Sequence, residues 1–459
     1  MATPIPAKAV LEFTPRPRTL PASAVLAGLG EVQAGAFGLR EASAQAQGLA
    51  FAGAASGSGG VSSMFWNPAT VTMAPGFVKE QNISFINLSA RIRPEVGTSP
   101  NFAALGDSGD IGQGAVVPAG ATSYQLNDRL WIGLQTGAPF GLVTKPRQVW
   151  AGEAYGRSNR IFSLAFNAVI GYKVNEWLSI AAGPNIQYFR LTLRQATGVL
   201  SGPPFNVPAA ALPSTSLKGD SWGIGFTAGA LITAPTGTTL GVGYRSSIHH
   251  DIEGAIGVPL VALAARGGQV QANFNTPEKV TVGLTQVVNP VTRVNFGFEW
   301  DNWSRVGDVG IVQRSTGAVV SSLPLNYKDG YTFSGGVEYD WSERLTVRGG
   351  LAYEISPIDF ENRSVRLPDG DRFNVSVGAS YQWSEKLTLQ LAYTHLFLVG
   401  NSKILSGAGR DYNERLLTGQ SIAFAGDSRG SADIVSVGFR YVMGEPAKPI
   451  AAAPLIRKY

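Results

Sequence analysis

Three histidines, His249, His250 and His395, are the only imidazoles in the chain, and there is no cysteine. Neutral imidazole is the commonest metal ligand and general base, so His249-His250-Asp251 is the first place to look for a metal or an acid–base pair. On an extended strand, adjacent side chains point to opposite faces, so two neighbouring rings do not converge on one ion. The expectation is a solvated loop base and no metal. A hydrolase needs a nucleophile, a base and an orienting group in mutual reach, and His395 among many serines defines no such set. Absence of cysteine removes thiol nucleophiles, disulfides and thiolate metal sites together. Gly223-Ile224-Gly225 falls inside a strand pattern, not at a strand-to-helix turn, and cradles no phosphate. No catalytic residue, metal or cofactor is expected, and the chain is not read as an enzyme.

The elements that would position any chemistry are strands. Of 459 residues, 15% are charged and 56 are glycine, with a formal charge of +5; soluble domains carry about 25% charged residues. The basic residues stand singly, as at Arg293, Arg348, Arg363, Arg372 and Arg440, and without a basic run no nucleic-acid partner is expected. The run of about 20 apolar residues that a membrane helix needs is missing. Period-2 alternation is the dominant signal. In Val294–Trp300 one face is Val, Phe, Phe, Trp and the other Asn, Gly, Glu, and the pattern recurs in 331–339, 345–354, 373–381, 387–393 and 435–443.

A soluble antiparallel sandwich also alternates, and connection lengths separate the two. Tight turns fall at Asn127-Asp128, Asn175-Glu176, Pro235-Thr236-Gly237, Asn289-Pro290, Ser342-Glu343 and Ser384-Glu385. Long segments fall at about 93–116, 143–159, 195–217, 246–276, 303–328, 356–372 and 398–430. Six short turns interleaved with seven long loops give fourteen strands, and this regular alternation is the habit of an outer-membrane barrel. Trp177, Tyr339, Trp341, Tyr381 and Trp383 sit near the turns, where an interfacial girdle belongs. The reading is an all-β membrane protein: a fourteen-stranded antiparallel transmembrane β-barrel spanning 81–443, in the bacterial outer membrane, in contact with outer-membrane lipids. Residues 1–34 read as a weak export signal and 444–459 as a periplasmic tail.

Residues 35–80 break the strand pattern. They are rich in Gly, Ala and Ser yet include Met64, Phe65 and Trp66, and small residues suit a segment threaded through the lumen of a barrel this wide. They are expected to form an N-terminal hatch inside the barrel. Loops 195–217 and 256–265 are apolar where outer loops should be polar. Phe205, Val258, Leu260 and Leu263 are expected to form a greasy landing groove, a reading compatible with the two loops also packing on each other as a lid.

These blocks resemble a known family, the long-chain fatty-acid outer-membrane transporters (FadL, with the aromatic-hydrocarbon channel TodX as a relative). The resemblance is carried by Phe37-Gly38-Leu39-Arg40-Glu41, Asn67-Pro68-Ala69, Gly219–Gly225, Tyr244-Arg245-Ser246-Ser247 and, most specifically, Ser356-Pro357, Asn362-Arg363-Ser364, Pro368-Asp369 and Asp371-Arg372-Phe373. It implies a monomer and passive uptake of fatty acids or other hydrophobic small molecules, such as aromatic hydrocarbons, past a hatch marked by Phe37, Asn67, Pro68 and Ala69. It also implies a kink in the third strand that opens the wall sideways, here at Gly137, Pro139, Phe140 and Gly141; proline removes a ladder donor there. Arg190, Arg194 and Lys328 are the basic groups the resemblance offers for a carboxylate head, although Gln195 stands where an arginine is expected. The alternative function is a general diffusion porin or a structural outer-membrane protein.

Overall fold

A computed structural model describes residues 36–400, 402–407 and 422–443, so the expected leader and tail lie outside the described residues. Eight of the fourteen strands are continuous: β1 Phe77–Pro94, β2 Gly114–Gln125, β4 Ser158–Lys173, β5 Leu178–Ala196, β6 Ser214–Thr233, β11 Leu345–Ile355, β12 Arg372–Gln382 and β14 Phe424–Met443. Six are in two pieces: β3 Leu130–Gly137 and Gly141–Thr144, β7 Thr238–Arg245 and His249–Gly257, β8 Gly268–Asn275 and Lys279–Asn289, β9 Thr292–Asp301 and Asp308–Gln313, β10 Val319–Pro324 and Gly330–Asp340, and β13 Leu387–Leu398 and Lys403–Ser406, both paired to β14. Neighbours in sequence pair antiparallel, and β1 closes on β14 from Phe77↔Met443 to Pro94↔Gly426. Closure leaves no sheet edge for the bilayer to solvate.

The burial pattern is inverted relative to a soluble protein. Along β1 the buried side chains include Glu80, Asn82 and Ser84, while Ile83 and Phe85 are exposed. Trp222, Ile224 and Phe226 of β6 and Val377 of β12 are likewise exposed. An apolar outer face with a polar interior is stable only when the surroundings are hydrocarbon.

Two segments expected as long loops are mostly wall. His249–Gly257 pairs with Gly268–Asn275, and Asp308–Gln313 pairs with Val319–Pro324. Backbone ladders do not depend on apolar side chains, and short interruptions hid the strands on either side. His250 is therefore not a solvated loop base. It is buried, bonded to Gln187 Oε1 at 3.0 Å and Ser221 Oγ at 2.9 Å, while His249 faces outward. The wall begins at Phe77, four residues before the expected boundary.

Residues 36–76 pack against lumen-facing side chains. Small residues let the segment coil tightly: α1 Ala44–Gln47 is capped by Ser43, and short 3-10 helices cover Ala54–Ser56, Gly60–Phe65 and Pro68–Met73. Asn67 caps the last turn by accepting from Ala69 N at 3.0 Å, with Pro68 at the first helical position, where its missing N–H costs nothing. The fit to the wall is close. A Cβ added at Gly241 or Gly243 of β7 would lie 1.8 Å from the Ala55 or Trp66 carbonyl oxygen.

Candidate functional site: a break in the wall and the cavity behind it

The β2–β3 ladder runs only from Gln125↔Trp131 to Gly120↔Thr136. Beyond Gly137 the third strand stops, because Pro139 has no N–H to donate. It resumes at Gly141–Thr144, now paired to β4 alone, with one isolated bridge, Gly112↔Thr144, reconnecting it farther along. Gly114–Ala119 of β2 thus pair with β1 and not with β3. At this break the start of the N-terminal segment supplies the missing partner. Gly38 bridges Phe140, Leu39 N donates to Pro139 O at 2.8 Å, and Gly141 N donates to Phe37 O at 2.8 Å. Gly137, Pro139, Phe140 and Gly141 are all buried. The expected gate residues and the expected hatch residue Phe37 are therefore brought together.

Phe37 stands between break and cavity. Its ring lies 5.9 Å from Phe140 at the break, 4.7 Å from Trp303, 6.1 Å from Phe274 and 6.4 Å from Phe189. Behind it opens an apolar cavity, partly continuous with solvent, whose wall includes Phe189, Leu191, Leu193, Ile252, Phe274 and Leu367. Odd-numbered residues of β5 face this space. Arg190 and Arg194, expected as head-group ligands, therefore project from the outer face of the barrel, and both are exposed. Lys328 is also outside the cavity: it is exposed and bonded to Asp359 at 2.9 Å. That bond holds the Lys328 ammonium above its ordinary range. Burial works to raise the Asp359 carboxyl, but the bonds from Lys328 and Asn362 prevail and hold it below. Cations at the cavity wall include Arg363 and Arg366 from the 356–371 loop, and Lys218 of β6 borders it; Arg366 donates to Gln195 Oε1 at 2.7 Å. Sequence reasoning missed this pair, and it missed Phe189, Leu191, Phe274 and Trp303, although alternation along β5 marks the first two.

Asn67, Pro68 and Ala69 lie away from the cavity and are fully buried; Asn67 Nδ2 donates to Ala55 O at 2.8 Å and to Ala230 O at 2.9 Å. They lock the segment to the β6 wall. Its other end is held by charge. Arg40 is buried between Glu299 at 3.5 Å and Glu354 at 3.3 Å, and also bonds Thr332. Lys279 approaches Glu299 at 2.7 Å and Arg372 approaches Glu354 at 3.5 Å. Among the loop residues, Leu263 is buried and Val258 half-buried in one apolar cluster with Leu200 and Leu212, so the two loops pack on each other, while Phe205 and Leu260 remain exposed.

The family profile described as "Outer membrane protein transport protein (OMPP1/FadL/TodX)" matches residues 25–443. The chain belongs to this family. It is 26% identical over 372 residues to the long-chain fatty acid transport protein of Escherichia coli K12, covering 73% of this chain and 82% of that one. It is 27% identical over 384 residues to the 47 kDa outer membrane protein of Pasteurella multocida, covering 77% and 85%. In fold it is similar to a Pseudomonas aeruginosa FadL homologue (TM-score 0.79, 22% identity, 89% of this chain and 100% of that one). It is also similar to the Pseudomonas putida toluene transporter TodX (TM-score 0.64, 16% identity, 88% and 99%). With these relatives, the inverted wall identifies a multi-pass β-barrel of the bacterial outer membrane.

Proposed function

We propose that the chain is a passive, monomeric transporter of hydrophobic small molecules, fatty acids or aromatic hydrocarbons, with no turnover chemistry. The observation that carries this reading is the break between β2 and β3, stoppered by residues 37–39 and backed by an apolar cavity. A molecule captured over the outer loops, where Phe205 and Leu260 remain exposed, enters the cavity. Each buried methylene is worth about 0.8 kcal/mol, a gain that a water-filled pore does not offer. Arg363 and Arg366 give an anionic head group a partner at the cavity wall. Displacement of Phe37 from Phe140 then joins the cavity to the break, and the substrate leaves sideways into the bilayer. The drive is downhill partition, so no energy source is needed.

The test is reconstitution in liposomes. Oleate and toluene should enter faster than in protein-free vesicles, while maltose should not. Permeation of maltose without acceleration of the hydrophobes would assign the chain to the diffusion porins and end this reading.

A further inference from the structure

The outer face of β4–β6 carries a cluster of cations at one height. Even-numbered positions face outward there, and Arg160, Arg190, Arg194 and Lys218 are all exposed. The ladder fixes their relative places. Arg160 and Lys218 lie on either side of Thr192, Arg190 faces Phe162 and Asp220, and Arg194 faces Ser158 and Ser216. Adjacent strands are about 4.8 Å apart and residues two apart on a strand about 7 Å, so these long side chains can close around one group above Thr192.

Charge compensation is only partial here: Asp220 stands opposite Arg190, and both side chains interact with the Tyr188 hydroxyl. On β1 and β14, Arg91 has Asp107 at 3.7 Å and Arg429 has Asp427 at 3.5 Å. Arg190, Arg194 and Lys218 take part in no ion pair among the described residues. The acids nearest in the ladder are Asp220, opposite Arg190, and Glu253, opposite Asp220 and already paired to Arg314 at 3.0 Å.

The cluster also has a defined depth. From the lower girdle at Trp177 to Tyr188, β5 advances eleven residues, the length that crosses the hydrocarbon core (about 9–11). Tyr188 and Trp222 form an outward ring pair at 5.2 Å, which marks the outer girdle. The cations begin two residues beyond it, at the level of the head groups.

We propose that this face is a docking site for a phosphorylated glycolipid of the outer leaflet, the lipid A part of lipopolysaccharide. Its phosphates seat among Arg190, Arg194 and Lys218, with Arg160 alongside, and its acyl chains descend over Trp222, Ile224 and Phe226. Guanidinium forks match phosphate oxygens bidentately, and the exposed apolar side chains directly below match the rest of the same molecule. A free phosphate would leave that lower half without a role.

The test uses the full chain in mild detergent, titrated with lipopolysaccharide and read by native mass spectrometry. One lipopolysaccharide should be retained per chain. Each surface cation contributes about fivefold to such binding, so Arg190→Gln/Arg194→Gln/Lys218→Gln should weaken retention roughly a hundredfold, while Arg91→Gln/Arg429→Gln should not. All these positions are exposed, and heat-modifiable gel mobility checks that each variant folds. Equal retention by the triple variant, or equal retention of dephosphorylated lipopolysaccharide, overturns the proposal. Displacement by excess inorganic phosphate overturns it too, since it would reveal a simple anion site. None of these readouts depends on transport.

Discussion

Arg40→Met should unseat the start of the hatch by a calculable amount. Arg40 is 3% exposed and lies between two buried carboxylates, Glu299 and Glu354. Removing one partner from a buried ion pair costs about 3–5 kcal/mol, because the other charge is left uncompensated. Here each carboxylate keeps a second cation, Lys279 on Glu299 and Arg372 on Glu354, which puts the loss at the lower end, about 3 kcal/mol. Every 1.4 kcal/mol is tenfold in an equilibrium, so the unseated state should become roughly a hundredfold more populated. The chain has no native cysteine, which makes thiol labelling clean. Ala36→Cys places a probe at a fully buried position whose backbone N–H donates to Asp369 at 3.1 Å. Reaction with a water-soluble maleimide tracks the open population when reclosing outpaces labelling. Adding Arg40→Met should speed it about a hundredfold by the arithmetic above. Neutralising Glu299 and Glu354 to Gln in the same chain should recover most of the protection, since a neutral replacement of a buried pair costs little. Labelling within about twofold of the Ala36→Cys parent would refute the claim that Arg40 holds the hatch, given the expected 3 kcal/mol.

Two further outcomes follow from the geometry. Gly243→Val puts side-chain atoms where the Trp66 carbonyl oxygen now sits, 1.8 Å from the added Cβ; the hatch should be displaced, and planar-bilayer conductance should rise above that of the parent, with unchanged conductance contradicting the close fit. Lys328→Ala should raise the Asp359 pKa toward the ordinary carboxylate range, followed by carboxyl-carbon NMR, because the bond from Lys328 helps hold it down. The Asp359 contribution to loop order is present above the ordinary carboxylate pKa and is lost as pH falls through the depressed value; a titration unchanged in the variant would contradict the pairing.

Much of the wall was legible because a barrel in lipid writes its two faces as alternating residues. All six tight turns fall between the strands where they were expected. The second pieces of β7 and β9 and the first pieces of β8 and β10 were missed because their sequences, such as His249-His250-Asp251 and Ser321-Ser322, are polar on faces that still pair by backbone alone. Parity decided the fate of the basic residues: one step along β5 moves a side chain from cavity to exterior, so Arg190 and Arg194 face out while Gln195 faces in and meets Arg366. A resemblance can propose an arginine at a position, but only register says which way it points. The pairing of Phe37–Leu39 with Pro139–Gly141 joins residues about a hundred apart, and no local pattern announces it. A signal for the hatch contacts was present, however. Gly241 and Gly243 recur at the lumen-facing period of β7, where a side chain would collide with the Ala55 and Trp66 backbone.

Lateral exit past the hatch is tested most directly by locking the stopper to the break. Gly38 and Phe140 form a non-hydrogen-bonded antiparallel pair, flanked by the Leu39–Pro139 and Phe37–Gly141 bonds, and such pairs have Cα atoms about 4.5 Å apart, within disulfide reach. In Gly38→Cys/Phe140→Cys, uptake of oleate or toluene into liposomes should stop on oxidation and return on reduction. Equal uptake by the oxidised and reduced forms would contradict exit through this opening.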